Sequence, residues 1–260
     1  AFRLYQQGDC YRRAESDYLY EMEWLNFLQE QGLPVSHPIS RRDGGYVGSL
    51  DAPEGTRYYA MFSLAHGAPL SLHDSEQLYT MGEMMARIHV ASNAFHTPHA
   101  RKPLDMAYLL DRPLERIERS WTDEHVGDLD LVLAAVEEAR DELAGLIAQF
   151  PADGRGPIGG DFHQSSVYFS ETNQPTFFNF DLCGPGWRAY DIAAFLSNSN
   201  LTHNSTEHAE AFFAGYFSVR PLSDAEHAAI HPFLTIRRVW LMGAFAREDG
   251  LVGHTFMGSI

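Results

Sequence analysis

Asp161 sits in Gly159-Gly160-Asp161-Phe162-His163, a carboxylate on a Gly-flanked loop, and the polar cluster Asn179-Phe180-Asp181 follows after a turn. Side chains of this kind and order suit phosphoryl transfer to a hydroxyl. That reaction asks for an aligned nucleophile, an acceptor for its proton, and neutralisation of phosphate charge by metal and cationic side chains. A carboxylate on a loop between a helix and a hairpin can take the proton, so Asp161 is the candidate base. His163, two residues on, is a candidate for catalysis or for orienting the loop. Metal ligands would come from a polar residue a few positions later and from a carboxylate on the hairpin's return strand.

Those residues need elements to hold them. Ala1–Tyr5 reads as a short strand. A helix follows over Ser16–Gln31, with Leu19, Met22, Trp24, Leu25 and Leu28 at helical spacing and Gly32 as its stop. Strand-like runs at Gly45–Leu50 and Arg57–Leu64 flank a turn. From Ser71 the pattern turns helical: Asp74–Ala94, with Leu78, Met81, Met85, Ile88 and His89 on a buried face, then Gly127–Phe150. Gly156–Asp181 reads as loop, strand, turn, strand, with the hairpin at Glu171–Pro175. Three helices are expected at the end: Thr206–Phe217, Ser223–His231 and Phe233–Arg247, the second capped by Ser223 with Glu226 reaching back. The fold class is therefore α+β, with a small β-rich lobe over 1–65 and a larger, mostly helical lobe over 66–260.

Composition narrows the function classes. With 45% hydrophobic and 13% aromatic residues the chain belongs among folded globular proteins. A formal charge of −16 sets general nucleic-acid binding aside, because a phosphate backbone would be repelled. Cys10 and Cys183 form no metal-spacing motif and read as reduced thiols. No apolar run approaches the ~20 residues that span a bilayer and no signal peptide is visible, so the expected setting is cytoplasmic, with no membrane partner. His227 and His231 have the spacing of a metal pair but read as a surface helix.

GGDFHQSS and FNFDLCGPGWRAYDIA resemble blocks of the aminoglycoside phosphotransferase and choline kinase superfamily, which has a bilobal protein-kinase-like fold. The matches fall at Gly160, Asp161, His163, Gly186, Arg188, Tyr190 and Asp191, and MEWLNFLQEQGLPV, YYAMFSLAHGAPL, LYTMGEMMARIH and FFAGYF extend the likeness along most of the chain. The resemblance implies ATP and Mg²⁺. It implies that Arg3 is the cation for the nucleotide phosphates with Glu21, rather than Glu23, as its partner. Main-chain groups of Ser63 and Ala65 at the hinge would face adenine, and Asp191 would hold the catalytic loop. The strands and phosphate-covering loop that precede the first strand in the family are not in this sequence, so the small lobe reads as incomplete.

Three positions depart from the family pattern. Gly159 stands where the family has His, Ser166 where it has a metal-binding Asn, and Asn179 where it has a metal-binding Asp. Neutral oxygens bind Mg²⁺ less firmly than a carboxylate. Asp181, two residues along the same strand and so on the same face, offers a displaced third ligand. Two readings stay open: a small-molecule kinase acting on a hydroxyl, weak or atypical through its metal site, and a pseudokinase that binds nucleotide or metabolite without efficient transfer. A different reaction around Asp161, His163 and Asp181 is a third. The acidic flank of Gly127–Phe150 (Asp128, Asp130, Glu137, Glu138, Asp141, Glu142) is either a solvated face or a wall for a cationic substrate, which makes an amine-bearing acceptor the expected partner.

Overall fold

In a computed structural model that describes residues 1–5, 13–53, 55–120, 126–199 and 206–246, the chain opens on strand β1 (Phe2–Leu4) and helix α1 (Glu15–Glu30). Strands β2 (Val47–Ala52) and β3 (Gly55–Met61) complete an antiparallel sheet of order β1-β3-β2, with Arg3 opposite Ala60. Side chains alternate across a strand. Phe2 and Leu4 are exposed, at 63% and 37%, and Arg3 turns the other way, toward α1. That helix buries Glu21, Met22, Trp24, Leu25 and Leu28. Its first turn is closed by Asp17, whose Oδ2 accepts the Ala14 N–H at 2.9 Å.

The larger part begins with β4 (Ala68–Pro69) and α2 (Ser75–Ser92), the helix capped by Asp74 through the Glu76 and Gln77 N–H groups. Then come α3 (Arg112–Ser120) and α4 (Val126–Ile147), with a π-helical turn over Ala107–Asp111 leading into α3. Strands β5 (Arg155–Ile158), β6 (Val167–Phe169), β7 (Pro175–Phe177) and β8 (Gly184–Trp187) follow, then α5 (Arg188–Asn198), α6 (Thr206–Phe217) and α7 (Asp224–Phe245). The sheets are β4-β6-β7 and β5-β8, both antiparallel. A parallel bridge between Val35 and Phe177 ties the segment after α1 to β7.

Helix α5 is buried along Arg188–Leu196 and forms the axis of the helical part. Each large apolar side chain on it, such as Ile192 or Phe195, contributes about 1.5–3 kcal/mol by leaving water. Helices α2 and α6 cross at backbone contact: a Cβ on Gly82 would lie 1.9 Å from the Phe212 carbonyl oxygen, and one on Gly215 the same distance from that of Tyr79. Any larger residue would push the helices apart.

Two sequence expectations are corrected. The expected break between Ser223–His231 and Phe233–Arg247 does not occur, and α7 runs through Pro232. A mid-helix proline costs about 3 kcal/mol; here it is offset by burial of Pro232, Phe233, Ile236, Val239 and Trp240. The FNFD segment is not strand either. β7 ends at Phe177, Asn179 has φ 68°, and a turn carries the chain through Asp181. Strands β5 and β8 were hidden by their Gly and Pro content. The Ser223 cap forms as read, with Ser223 Oγ accepting from the Glu226 N–H and Glu226 Oε2 accepting from the Ser223 N–H.

Candidate active site

The loop that carries Asp161 is held from below by α5. Asp191 Oδ1 accepts the Gly160 N–H at 2.7 Å, and Oδ2 accepts the Gly159 N–H at 2.9 Å. His89 Nε2 lies 3.0 Å from the same Oδ2, and its Nδ1 lies 2.9 Å from Tyr216 Oη. Burial drives the His89 pKa down to about 4, so the ring is neutral, donating to Asp191 and accepting from Tyr216. Asp191 thus holds the loop as the sequence suggested. Gly160 is required: at φ 79° it occupies left-handed space, and a Cβ would sit 2.7 Å from the Leu182 carbonyl oxygen. Phe162, which follows Asp161, packs edge-on against Phe177 and Phe180 and anchors the loop in the core.

Asp161 itself is 19% exposed. Its Oδ1 accepts from Arg237 Nη2 and, at 3.3 Å, from Asn198 Nδ2. Arg237 comes from α7 and is fully buried, its other donors directed to Asn198 Oδ1 and Tyr190 Oη. No hydrogen bond among the described residues reaches Asp161 Oδ2. The carboxylate is therefore fixed by one oxygen and offers the other.

Arg3 joins the small sheet to this region. Its Nη2 donates to Asn179 Oδ1 at 2.6 Å, and its Nη1 lies 3.7 Å from both Glu21 Oε1 and Asp181 Oδ1. Asn179 and Asp181 meet at one guanidinium because the turn curls, not because they share a strand face. Glu21 is wholly buried, neither of its oxygens has a hydrogen bond among the described residues, and burial raises its pKa against the opposing charges of Arg101 and Arg3. Glu23 faces elsewhere, bonded to Thr97 and His99.

Three adjoining cavities run through the crevice. One of about 250 Å³ is lined by Arg3, Glu21, Phe62, Ser63, Ala65 and Asn179 among others. The second, about 330 Å³, contains Arg3, Arg13, Asp161, Asn179 and Asp181. The third, about 630 Å³, opens from Asp161 and His163 toward Asn198 and Arg237. Arg3 and Asn179 border the first two, and Asp161 the last two.

Ser166 does not join them. It is fully buried, its hydroxyl donating to the His163 carbonyl and accepting the His163 N–H, and it lines none of the three cavities. His163 stands at the mouth of the third, its Nδ1 accepting the Ser165 N–H at 3.2 Å, and burial lowers its pKa. At the hinge, the Ser63 N–H donates to the His37 carbonyl and its own carbonyl accepts from Ser36 Oγ. Ala65 makes no such main-chain bond among the described residues. Arg101 was missed altogether: from the stretch between α2 and the π-helical turn it donates to the carbonyls of Asp17, Asp181 and Cys183 at 2.6, 2.5 and 2.6 Å. Among the described residues no three His, Cys, Asp or Glu side chains cluster as a ready-made metal site, and no helix is long and apolar enough to cross a membrane.

The chain is 33% identical over 230 residues to an uncharacterised Synechocystis sp. protein, covering 88% of this chain and 63% of that one. It is 30% identical over 224 residues to a homoserine kinase of Brucella anthropi, covering 84% of this chain and 64% of the relative. The chain therefore spans somewhat under two thirds of the length of these relatives. Its fold matches the solved structure of amicoumacin kinase hAmiN in complex with AMP-PNP, Ca²⁺ and Ami, with a TM-score of 0.74 at 20% identity over 95% of this chain and 78% of that one. The bilobal kinase-like fold is thus established. Since the model of the phosphotransferase enzyme family matches residues 2–232, the chain belongs to that family.

Proposed function

We propose that the protein transfers the γ-phosphoryl group of ATP to a hydroxyl of a small molecule, with residues 1–65 holding the nucleotide and 66–260 the acceptor, in the cytoplasm. The observation that carries this reading is the meeting of Arg3 with Glu21, Asn179 and Asp181 in a crevice that also opens on Asp161. Adenine would lie in the first cavity, against Ala65 at the hinge. Arg3 would take the phosphates in the second. Asp161 Oδ2 would accept the acceptor's proton from the third, while Oδ1 stays on Arg237. His163 would orient the loop and line the acceptor's entry.

Mg²⁺ is usually bound through one or two carboxylates plus the substrate's own phosphates. The donors fit that mode: Asp181 supplies a carboxylate, 30% exposed, and Asn179 a neutral oxygen beside it. Ser166, whose hydroxyl is taken within its own turn, is not among the ligands we propose. When bound with ATP the ion would offset phosphate charge and align the γ-phosphoryl group. Arg3 would then supply the cationic charge that a single carboxylate-held ion leaves unmet.

A second reading has its own support. Asn179 Oδ1 is already paired with Arg3, which leaves Asp181 as the one carboxylate of Asn179-Phe180-Asp181 and suits a pseudokinase that binds nucleotide with little turnover. We expect slow transfer rather than none, because Asp161 keeps a free oxygen. Titration with Mg·ATP and ³¹P detection of phosphorylated acceptor tests this. Nucleotide binding with no transfer to any hydroxyl acceptor would favour the pseudokinase; no nucleotide binding would end the phosphotransferase reading and leave, of the second, only a module that binds a metabolite.

A further inference from the structure

We infer that Arg13 binds the terminal phosphate of the nucleotide, as a second cation beside Arg3; this rests on the phosphotransferase reading above. The chain carries a formal charge of −16, so a polyphosphate is admitted only where local cations outweigh that field. The cavity of about 330 Å³ is where this must happen. It shares Arg3 and Asn179 with the first cavity and Asp161 with the third, so it lies between the places proposed for adenine and for the acceptor. A phosphoryl group in transit crosses that junction. Among the described residues that line it, the cations are Arg3 and Arg13 and the anions are Asp161 and Asp181.

Arg3 meets only part of the demand. Its Nη2 donates to Asn179, and its Nη1 lies 3.7 Å from both Glu21 and Asp181. Arg13 is not spent in this way. It is half-buried, it borders the cavity, and it forms no hydrogen bond or ion pair with another described residue. Helix α1, which begins two residues later, does not account for it, because a cation at a helix N-terminus opposes the dipole. Burial raises the pKa of Tyr18, another residue of the cavity wall, and the charge of Arg13 is the strongest influence against that rise. The guanidinium therefore stands close to the wall. Its planar fork suits two oxygens of one phosphate.

The transfer step balances with the groups present and ATP. The acceptor O–H gives its proton to Asp161 Oδ2 as its oxygen bonds the γ-phosphorus. The bond from that phosphorus to the β,γ-bridging oxygen breaks, its electron pair leaves on ADP, and the proton passes from Asp161 to water. Arg13 exchanges no atom. Negative charge stays on the peripheral phosphoryl oxygens throughout, so a cation held against them remains engaged in the transition state.

The test uses the full chain. Calorimetry measures binding of adenosine, Mg·ADP, Mg·ATP and inorganic tripolyphosphate with Mg²⁺ to the protein and to Arg13→Gln. The substitution should weaken Mg·ATP about ten-fold or more, Mg·ADP less, and adenosine not at all, and tripolyphosphate should weaken with ATP. Arg13→Lys, which keeps a point charge without the fork, should lie between. Arg87→Gln removes an exposed cation that pairs with Glu83 outside the three cavities, and should change nothing. Mg·ATP binding indifferent to Arg13→Gln would overturn the inference and leave the phosphotransferase reading standing. So would an equal loss for adenosine, or an equal loss in Arg87→Gln, since the effect would then not be on phosphate at this site. Tripolyphosphate binding that depends on Arg13, in a protein that binds no nucleotide, would keep Arg13 as a polyphosphate cation while the phosphotransferase reading falls. No binding of nucleotide or tripolyphosphate would overturn both.

Discussion

Arg3 Nη2 donates to Asn179 Oδ1 at 2.6 Å, so the cation of the small sheet is bound to an amide where the family pattern has a metal-binding carboxylate. Replacing Asn179 by Asp keeps the shape and adds a charge. The backbone tolerates it, because Asp, like Asn, adopts the left-handed conformation that φ 68° requires. Asn179→Asp should lower the Mg²⁺ concentration that half-saturates nucleotide binding and raise kcat about ten-fold or more. Steady-state rates across a Mg²⁺ titration check it. A variant with unchanged rate and metal dependence would mean that metal charge is not what limits the site, and would favour the pseudokinase.

Asp161 and Arg237 form an ion pair whose cationic half is fully buried. Asp161→Asn should reduce transfer by about 10²–10⁴ if the carboxylate takes the proton, with Mg·ATP binding retained. It also strands a buried guanidinium, which costs about 3–5 kcal/mol. Arg237→Met should be less destabilising in the Asp161→Asn background than alone, because the two share one interaction. Denaturant melts of the two single variants and the double variant measure that coupling; strict additivity would refute a pair that acts as a unit.

How much of this was legible depended on sequence distance. Glu21 over Glu23, and Asp191 beneath the Gly159-Gly160-Asp161 loop, came from the family resemblance and not from local spacing; in the structure Glu21 Oε1 lies 3.7 Å from Arg3 Nη1, and Asp191 accepts the Gly159 and Gly160 N–H groups. Arg237 was invisible as a partner of Asp161: it lies on a helix that Pro232 seemed to divide, and nothing local marks a residue whose partner is so remote. Arg101 was hidden similarly, in a stretch without periodicity. Asn179 misled for a different reason. Alternating FNFD looks like strand, but Asn is among the few residues that tolerate positive φ, and the chain turns there. Ser166 was placed on the crevice by alignment, yet its short side chain satisfies its own turn first.

His89 makes stability depend on pH. Its pKa falls from 6.5 unfolded to about 4 in the buried site. Above pH 6.5 both states are neutral and the group has no pH effect. Below it the unfolded chain binds the proton first, so stability is lost progressively as pH falls to about 4 and then levels off. The full difference is on the order of 3 kcal/mol. Denaturant unfolding at pH 7 and pH 5 should differ by one proton's slope in this window. The slope should shrink in His89→Gln, whose amide can donate to Asp191 without titrating; an unaltered slope would assign the dependence to another group.

Arg101 bridges α1 and the turn that presents Asp181 through three main-chain carbonyls, those of Asp17, Asp181 and Cys183. A lysine there keeps the charge, but its single ammonium cannot reproduce the planar fork that reaches all three oxygens. At least one buried carbonyl would lose its donor, at about 1–3 kcal/mol. Arg101→Lys should therefore destabilise the fold by roughly that amount. It should also raise the Mg²⁺ needed for nucleotide binding, because the Asp181 carboxylate would no longer be held beside Arg3. Denaturant melts read the first effect and Mg²⁺ titrations at fixed ATP the second. Loss of stability with unaltered Mg²⁺ dependence would make Arg101 a structural brace alone; a shift in both would mark it as the residue that positions Asp181.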